Sequence, residues 1–331
     1  MNKHEQDLQE VVDQAIAEQK VPHVKFKKID PESVDIARLT SPSKETRQEH
    51  WGKGLTSLAI AVIGILIVAI IGFVGVRGLA TFVDDKVNIF HFLLTSNWNP
   101  SAGKDHVGAA AMIVTSFAVT LLAALVATPF AIAIALFMTE YKSGKQAQFL
   151  QSVMELLVGI PSVVYGFLGL TVIVTVIRSI FGGTGFGILA ATLILFVMVL
   201  PTITSLTVDA FKAVPQDLRK SSAALGATRW QTIYHVVLRA ARPRILTAII
   251  FGMARAFGEA LAVQMVIGNA VLMPYNLVSP SATLTSQLTS QMGNTVMGTL
   301  PNNALWSLAL LLLIMSLAFN FLVRLIGKRG S

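Results

Sequence analysis

The chain has 331 residues, 53% hydrophobic and 13% charged, and no cysteine; its mean hydropathy is +0.66. Soluble domains carry roughly 25% charged residues, so a water-soluble globule of this size could not cover its surface, and the missing cysteines exclude a disulfide framework, a thiolate metal site and a cysteine nucleophile. The net charge of +8 is not a nucleic-acid signal, because residues 1–53 hold 9 Lys/Arg against 10 Asp/Glu and the excess lies in the loops of the hydrophobic remainder, as expected of a membrane protein.

Residues 1–50 are polar, and Leu8, Val11, Val12, Ala15 and Ile16 follow the spacing of a short amphipathic helix on a solvated tail. Beyond them, six stretches reach the roughly 20 apolar residues that a helical membrane crossing needs. The first, 55–76, contains no charge. It lies too far from the start, and lacks the small-residue cleavage site, to be a signal peptide. A loop at 81–106 follows, with Trp98-Asn99-Pro100 as an interfacial anchor and two lone histidines, His91 and His106. The second crossing is 109–138, and the third, 149–177, contains Glu155 and Gly159-Ile160-Pro161. The glycine-rich connection 183–187 leads to the fourth, 188–208. Pro129, Pro161 and Pro201 are each expected to interrupt a crossing.

Residues 209–244 are the most informative loop. Pro215 suits a helix start, with Asp217 favourable in the first turn. Gly226 suits a left-handed helix end, and Thr228 with Gln231 forms a capping-box pattern for a second helix that runs towards Pro243. A folded loop of this length among short connections reads as a docking surface. The fifth crossing, 245–268, carries Arg255 and Glu259, flanked by Gly252 and Gly258. The loop 269–304 has no charged residue, and the sixth crossing, 305–326, has Arg324 near its end. Basic residues crowd alternate loops, which places both termini in the cytoplasm.

No phosphate loop, zinc-protease motif, serine elbow or carboxylate pair is present, so no catalytic residue, metal ligand or cofactor site is assigned to this chain. The charges within the crossings remain. An arginine near the bilayer midplane costs at least about 2.5–3.5 kcal/mol. Spacing of four predicts that Arg255 and Glu259 share one helical face, continued by Ala262, Val266 and Asn269. The pair is read as a pathway lining in which Arg255 meets an anion and Glu259 neutralises it when the anion is absent; the alternative is a structural bridge. Thr115, Ser116 and Thr120, with Thr202, Thr204 and Ser205, offer hydroxyls for substrate or for helix–helix bonds. Glu155 is read as snorkelling, pairing or gating within the third crossing.

Three strings carry a family resemblance. Lys220-Ser221-Ser222-Ala223-Ala224-Leu225-Gly226-Ala227-Thr228 resembles the EAA loop of ABC-importer permeases, with Val236-Val237-Leu238-Arg239 at its end. Lys220 stands where the family has glutamate, Ser221 and Ser222 replace alanines, Arg239 replaces proline, and the turn glycine is kept. Gly159-Ile160-Pro161-Ser162-Val163-Val164-Tyr165-Gly166 and the string from Arg255-Ala256-Phe257-Gly258-Glu259 to Asn269 resemble those of phosphate-specific (Pst) permeases, the C-type subunit in particular.

Composition and charge give an all-α membrane protein with a cytoplasmic polar tail at 1–53 and a transmembrane permease domain at 54–327 carrying the loop 209–244; the resemblance, which covers about 55–326, implies the type I importer fold with that loop as its coupling loop. It implies a multi-pass subunit of a bacterial cell membrane phosphate importer, embedded in the lipid bilayer, working by alternating access with an A-type permease partner, an ATPase dimer and an external phosphate-binding protein. ATP and Mg would be bound by the partner ATPase. Lys220, Ser221, Ser222, Gly226 and Thr228 would form the ATPase-coupling segment, and Arg255 and Glu259 the phosphate pathway, to which the hydroxyl reading adds Thr115 and Ser116 and the face reading Asn269. The competing expectations are a permease for another oxyanion, an ATPase-independent anion transporter or channel, and a membrane scaffold.

Overall fold

The computed structural model describes residues 44–141 and 144–328. The amphipathic helix expected at 8–16 lies outside them, as does most of the tail. The chain forms two units, 1–66 and 67–331. What is described of the first is the beginning of helix α1, Lys44–Val83. Its residues from Trp51 to Leu66 are all exposed, and a helix this apolar on every side is suited to lipid or protein rather than water.

Among the described residues the second unit is helical, without strands. After α1 come a short helix α2 (Ile89–Leu94), α3 (Ala110–Tyr141), α4 (Lys145–Gly159), α5 (Ser162–Phe181), α6 (Ile188–Lys212), α7 (Gln216–Ala224), α8 (Arg229–Phe257), α9 (Leu261–Ile267), α10 (Leu284–Gln291) and α11 (Leu300–Lys328). Among the described residues five helices are long and apolar enough to cross a membrane, and the pair α8–α9, bent by 68°, makes a sixth if counted as one crossing.

The centre is the packing of α3 on α6. Ala123, Ala127, Ala131 and Ala135 recur every four residues and are fully buried. Such a stripe lets two helix backbones approach closely, which supplies packing where lipid supplies no hydrophobic drive. The first three join Ile194, Leu195, Val199 and Ile203 of α6 in one core. Gly252 of α8 meets Ile203 so closely that a Cβ there would lie 2.5 Å from its Cγ1. At one end of the bundle, Ala135, Phe211, Val214, Val237 and Ala241 close a second core under the 209–244 segment. A third gathers Phe92, Met112, Phe257, Leu305 and Phe319.

The structure corrects three expectations about breaks. The third crossing begins at Ser162, not at 149: Ile160 is extended (φ −72°, ψ 127°), as the residue before a proline prefers to be, and α4 stands apart as its own helix. Glu155 therefore lies outside the crossing, exposed on α4, accepting a hydrogen bond from Gln151 at 2.9 Å. Pro129 and Pro201 lie inside unbroken helices; each removes one backbone hydrogen bond, and the packed neighbours carry the rest. Pro243 likewise sits within α8, so the second loop helix does not end there but runs on into the membrane helix through a π-turn at Thr232–Val237.

Candidate functional site

The break between α8 and α9 falls inside the string Arg255–Asn269. Helix α8 stops at Phe257, Gly258 is its cap, and α9 starts after Ala260. Two side chains satisfy groups freed by the break. The Glu259 carboxylate accepts the Ala262 N–H at 3.2 Å, capping α9, and the Thr285 hydroxyl donates to the Glu259 carbonyl at 2.8 Å. Thr285 belongs to α10, which starts with a capping box between Thr283 and Ser286. The Leu284 N–H of α10 donates to Ser116 Oγ of α3 at 3.0 Å. The break is thus held from α3 through α10.

Arg255 and Glu259 do not share a helical face, because the helix ends between them, and no ion pair joins them. Each sits instead where a helix dipole suits its charge: Arg255 in the last turn of α8, Glu259 ahead of the first turn of α9. Arg255 donates to the Thr202 hydroxyl of α6. In this single chain Arg255 is exposed and Glu259 half-buried. An arginine with one hydroxyl partner and, among the described residues, no carboxylate keeps donors free for an anion.

The remaining expected pathway residues are placed differently. Thr115 is fully buried and its hydroxyl has no hydrogen-bond partner. Ser116 is buried as the support of α10, so neither hydroxyl opens onto a surface here. Asn269 is exposed and in the left-handed region (φ 54°), its Nδ2 donating to the Gln264 carbonyl at 2.9 Å. It lines a cleft of about 580 Å³ with Val163, Thr184, Leu261 and Gln264. Of the continued face, Ala262 and Val266 are buried in the core. Gly258 is the helix cap, whereas Gly166 marks the close approach of α5 to α9, where a Cβ would lie 2.7 Å from Met265 Sδ.

The second candidate region is the hairpin formed by α7 and the start of α8. Pro215 precedes α7, Gly226 takes φ 79°, and Thr228 and Gln231 form the reciprocal capping box expected from their spacing. Lys220, Ser221, Gly226 and Thr228 are exposed, while Ser222 is half-buried with its Oγ 2.9 Å from Thr232 Oγ1, tying the arms together. Leu225 (89% exposed) and Trp230 (58%) stand out from the turn. Beneath, Arg219 donates to the carbonyls of Val214 (2.6 Å) and Phe211 (2.9 Å) and to Glu140 Oε1 (2.8 Å). Arg229 lies over the Tyr141 ring at 5.2 Å. These two contacts escape sequence reasoning, since nothing local links residues some 80 positions apart.

Among the described residues no three His, Cys, Asp or Glu side chains gather as a metal site. His91 and His106 are loop staples: His91 Nε2 is 2.9 Å from the Asp105 carbonyl, and His106 Nδ1 is 2.7 Å from Asn97 Nδ2.

Residues 127–330 match the family described as the binding-protein-dependent transport system inner membrane component. The chain belongs to this family. The family is that of ABC-importer permease subunits, which are not enzymes, and both the hairpin and the broken helix fall within the matched residues. Over 301 residues the chain is 47% identical to the probable ABC transporter permease protein YqgH of Bacillus subtilis, covering 90% of this chain and 97% of that one. It is 33% identical over 267 residues to the phosphate transport system permease protein PstC of Mesorhizobium japonicum, covering 73% and 81%. Among solved structures, a bacterial ABC transporter that imports the acidic polysaccharide alginate superposes with a TM-score of 0.57 at 16% identity, covering 86% of this chain and 98% of that one. The inward-facing MetNI methionine ABC transporter gives 0.51 at 20% identity, covering 66% and 94%. The fold is that of a type I ABC-importer permease.

Proposed function

We propose that this chain is the permease subunit of a phosphate importer driven by ATP hydrolysis in a partner. The observation that carries the reading is Arg255: a cation at the end of a broken membrane helix, hydrogen-bonded to the Thr202 hydroxyl and, among the described residues, paired with no acid. Phosphate oxygens are bound best by charge-assisted donors, and discontinuous helices border transport sites in membrane proteins. Several relatives at about 30% identity bear the name phosphate transport system permease protein. In this reading a second permease subunit of the A-type completes the pathway, an external binding protein delivers phosphate, and an ATPase dimer holding ATP and Mg docks on the hairpin. Both termini and the hairpin then face the cytoplasm.

The relative at 47% identity is named without a substrate, which favours keeping a second reading, a permease for another oxyanion. Reconstitution with the partner subunits and binding protein in liposomes separates the two. Uptake of radiolabelled phosphate that requires ATP, and that excess sulfate or molybdate does not suppress, is the expected result. Uptake indifferent to ATP would instead favour an anion channel or secondary transporter.

A further inference from the structure

The hairpin is fastened to the rest of the chain at consecutive residues. Helix α3 ends in a π-turn, Phe137–Tyr141. Glu140 of that turn takes Arg219 from the first arm of the hairpin, and Tyr141 takes Arg229 from the second. The Glu140–Arg219 pair is largely shielded, with side chains 12% and 17% exposed. Arg219 also holds the Phe211 and Val214 carbonyls at the end of α6. Its planar fork of donors serves three acceptors at once, which a lysine ammonium cannot do in the same geometry. Ser222 and Thr232 bind the two arms to each other.

At its other end the same helix, α3, carries Ser116, which holds α10, and α10 holds the Glu259 carbonyl at the break. A continuous set of contacts therefore runs from hairpin to break through α3, beside the covalent route through α8.

We propose that the two arginine contacts make the hairpin and α3 one rigid body, and that Arg219 and Glu140 are positioning residues that transmit the partner ATPase's movement into the pathway. This rests on the importer reading above. If the contacts only stabilised the fold, weakening them would lower the amount of complex without changing the work done per ATP.

The test uses the complete transporter in liposomes, measuring phosphate taken up per ATP hydrolysed. Glu140→Gln and Arg219→Lys are expected to lower that ratio about fivefold or more, the lower end of ordinary coupling between sites, in complexes that still co-purify with the ATPase. A parental ratio in both variants overturns the inference. A second measurement exploits the absence of native cysteine. In a Tyr141→Cys/Arg229→Cys variant, a short bis-maleimide joining the two thiols is expected to leave uptake at the level of the same variant labelled with a monofunctional maleimide. Loss of uptake on joining would show that hairpin and α3 move against each other, and would overturn the rigid body. If the parent's uptake ignores ATP, the importer reading falls and takes this inference with it; an ATP-driven parent with unaffected variants removes this inference alone.

Discussion

Arg255 and Glu259 act as separate charges, each set against its own helix end. Arg255→Gln removes the cationic donor and is expected to lower phosphate uptake by about tenfold or more, the worth of one charge-assisted hydrogen bond, with the complex still assembled. Glu259→Gln keeps an oxygen for the Ala262 N–H, so its effect on stability should be small. Because no contact joins the two side chains, the double variant's uptake should be the product of the single effects, within about 0.5 kcal/mol. A coupling energy well above that, from uptake rates of the four proteins, would restore a direct pair. Thr285→Val leaves the Glu259 carbonyl without its donor and should cost about 1–3 kcal/mol, read as a lower unfolding temperature in detergent.

At the scale of elements, the hairpin was legible and the break was not, for physical reasons. The hairpin's signals are local: Pro215 at the start, Gly226 where φ is 79°, Thr228 with Gln231 at the second start. Gly226→Glu should cost about 1 kcal/mol or more in backbone strain and place a charge beside Leu225. Gly226→Asn, which tolerates the left-handed region, should keep ATPase binding where Gly226→Glu loses it; equal pull-down of the ATPase by both would remove the hairpin as the docking surface. The break reads as one crossing from 245 to 268 interrupted by Arg255, Glu259 and Gln264, and beyond its cap at Gly258 the groups that hold it lie elsewhere in the sequence. Thr285 holds the Glu259 carbonyl and Ser116 holds α10, long-range contacts that no spacing within the crossing announces. Helix α10 itself, Leu-Thr-Ser-Gln repeated, is polar yet buried over its first turn, the reverse of the pattern by which a buried helix is found.

For the whole molecule, the type I importer fold followed from hydropathy and the three family strings, while the third crossing was displaced because Pro161 separates α4 from α5. Sidedness can be tested with single cysteines at sites the structure exposes fully. Leu225→Cys on the hairpin and Tyr275→Cys in the 269–304 loop, 89% and 91% exposed in the native residues, are expected to lie on opposite sides of the membrane. An impermeant maleimide added to intact cells should label the second and not the first. Labelling of both, or of Leu225→Cys alone, would invert or abolish the proposed orientation.

Helix α8 begins at Arg229, inside the hairpin, and ends at Phe257, two residues before Glu259. Its length is roughly 40 Å at 1.5 Å per residue, and the helix runs on without a break through Pro243 and Gly252. It is a connecting rod. A tilt imposed at its foot reaches its head as a lateral displacement that grows with length, so a rotation of about 5° moves the head by some 3–4 Å over that span. The angle at 258–260 is the place where the rod meets a differently oriented piece, so in the importer reading a displacement of the head would be taken up there, next to Arg255. In the importer reading, a hinge at these three residues would let the shaft move without bending.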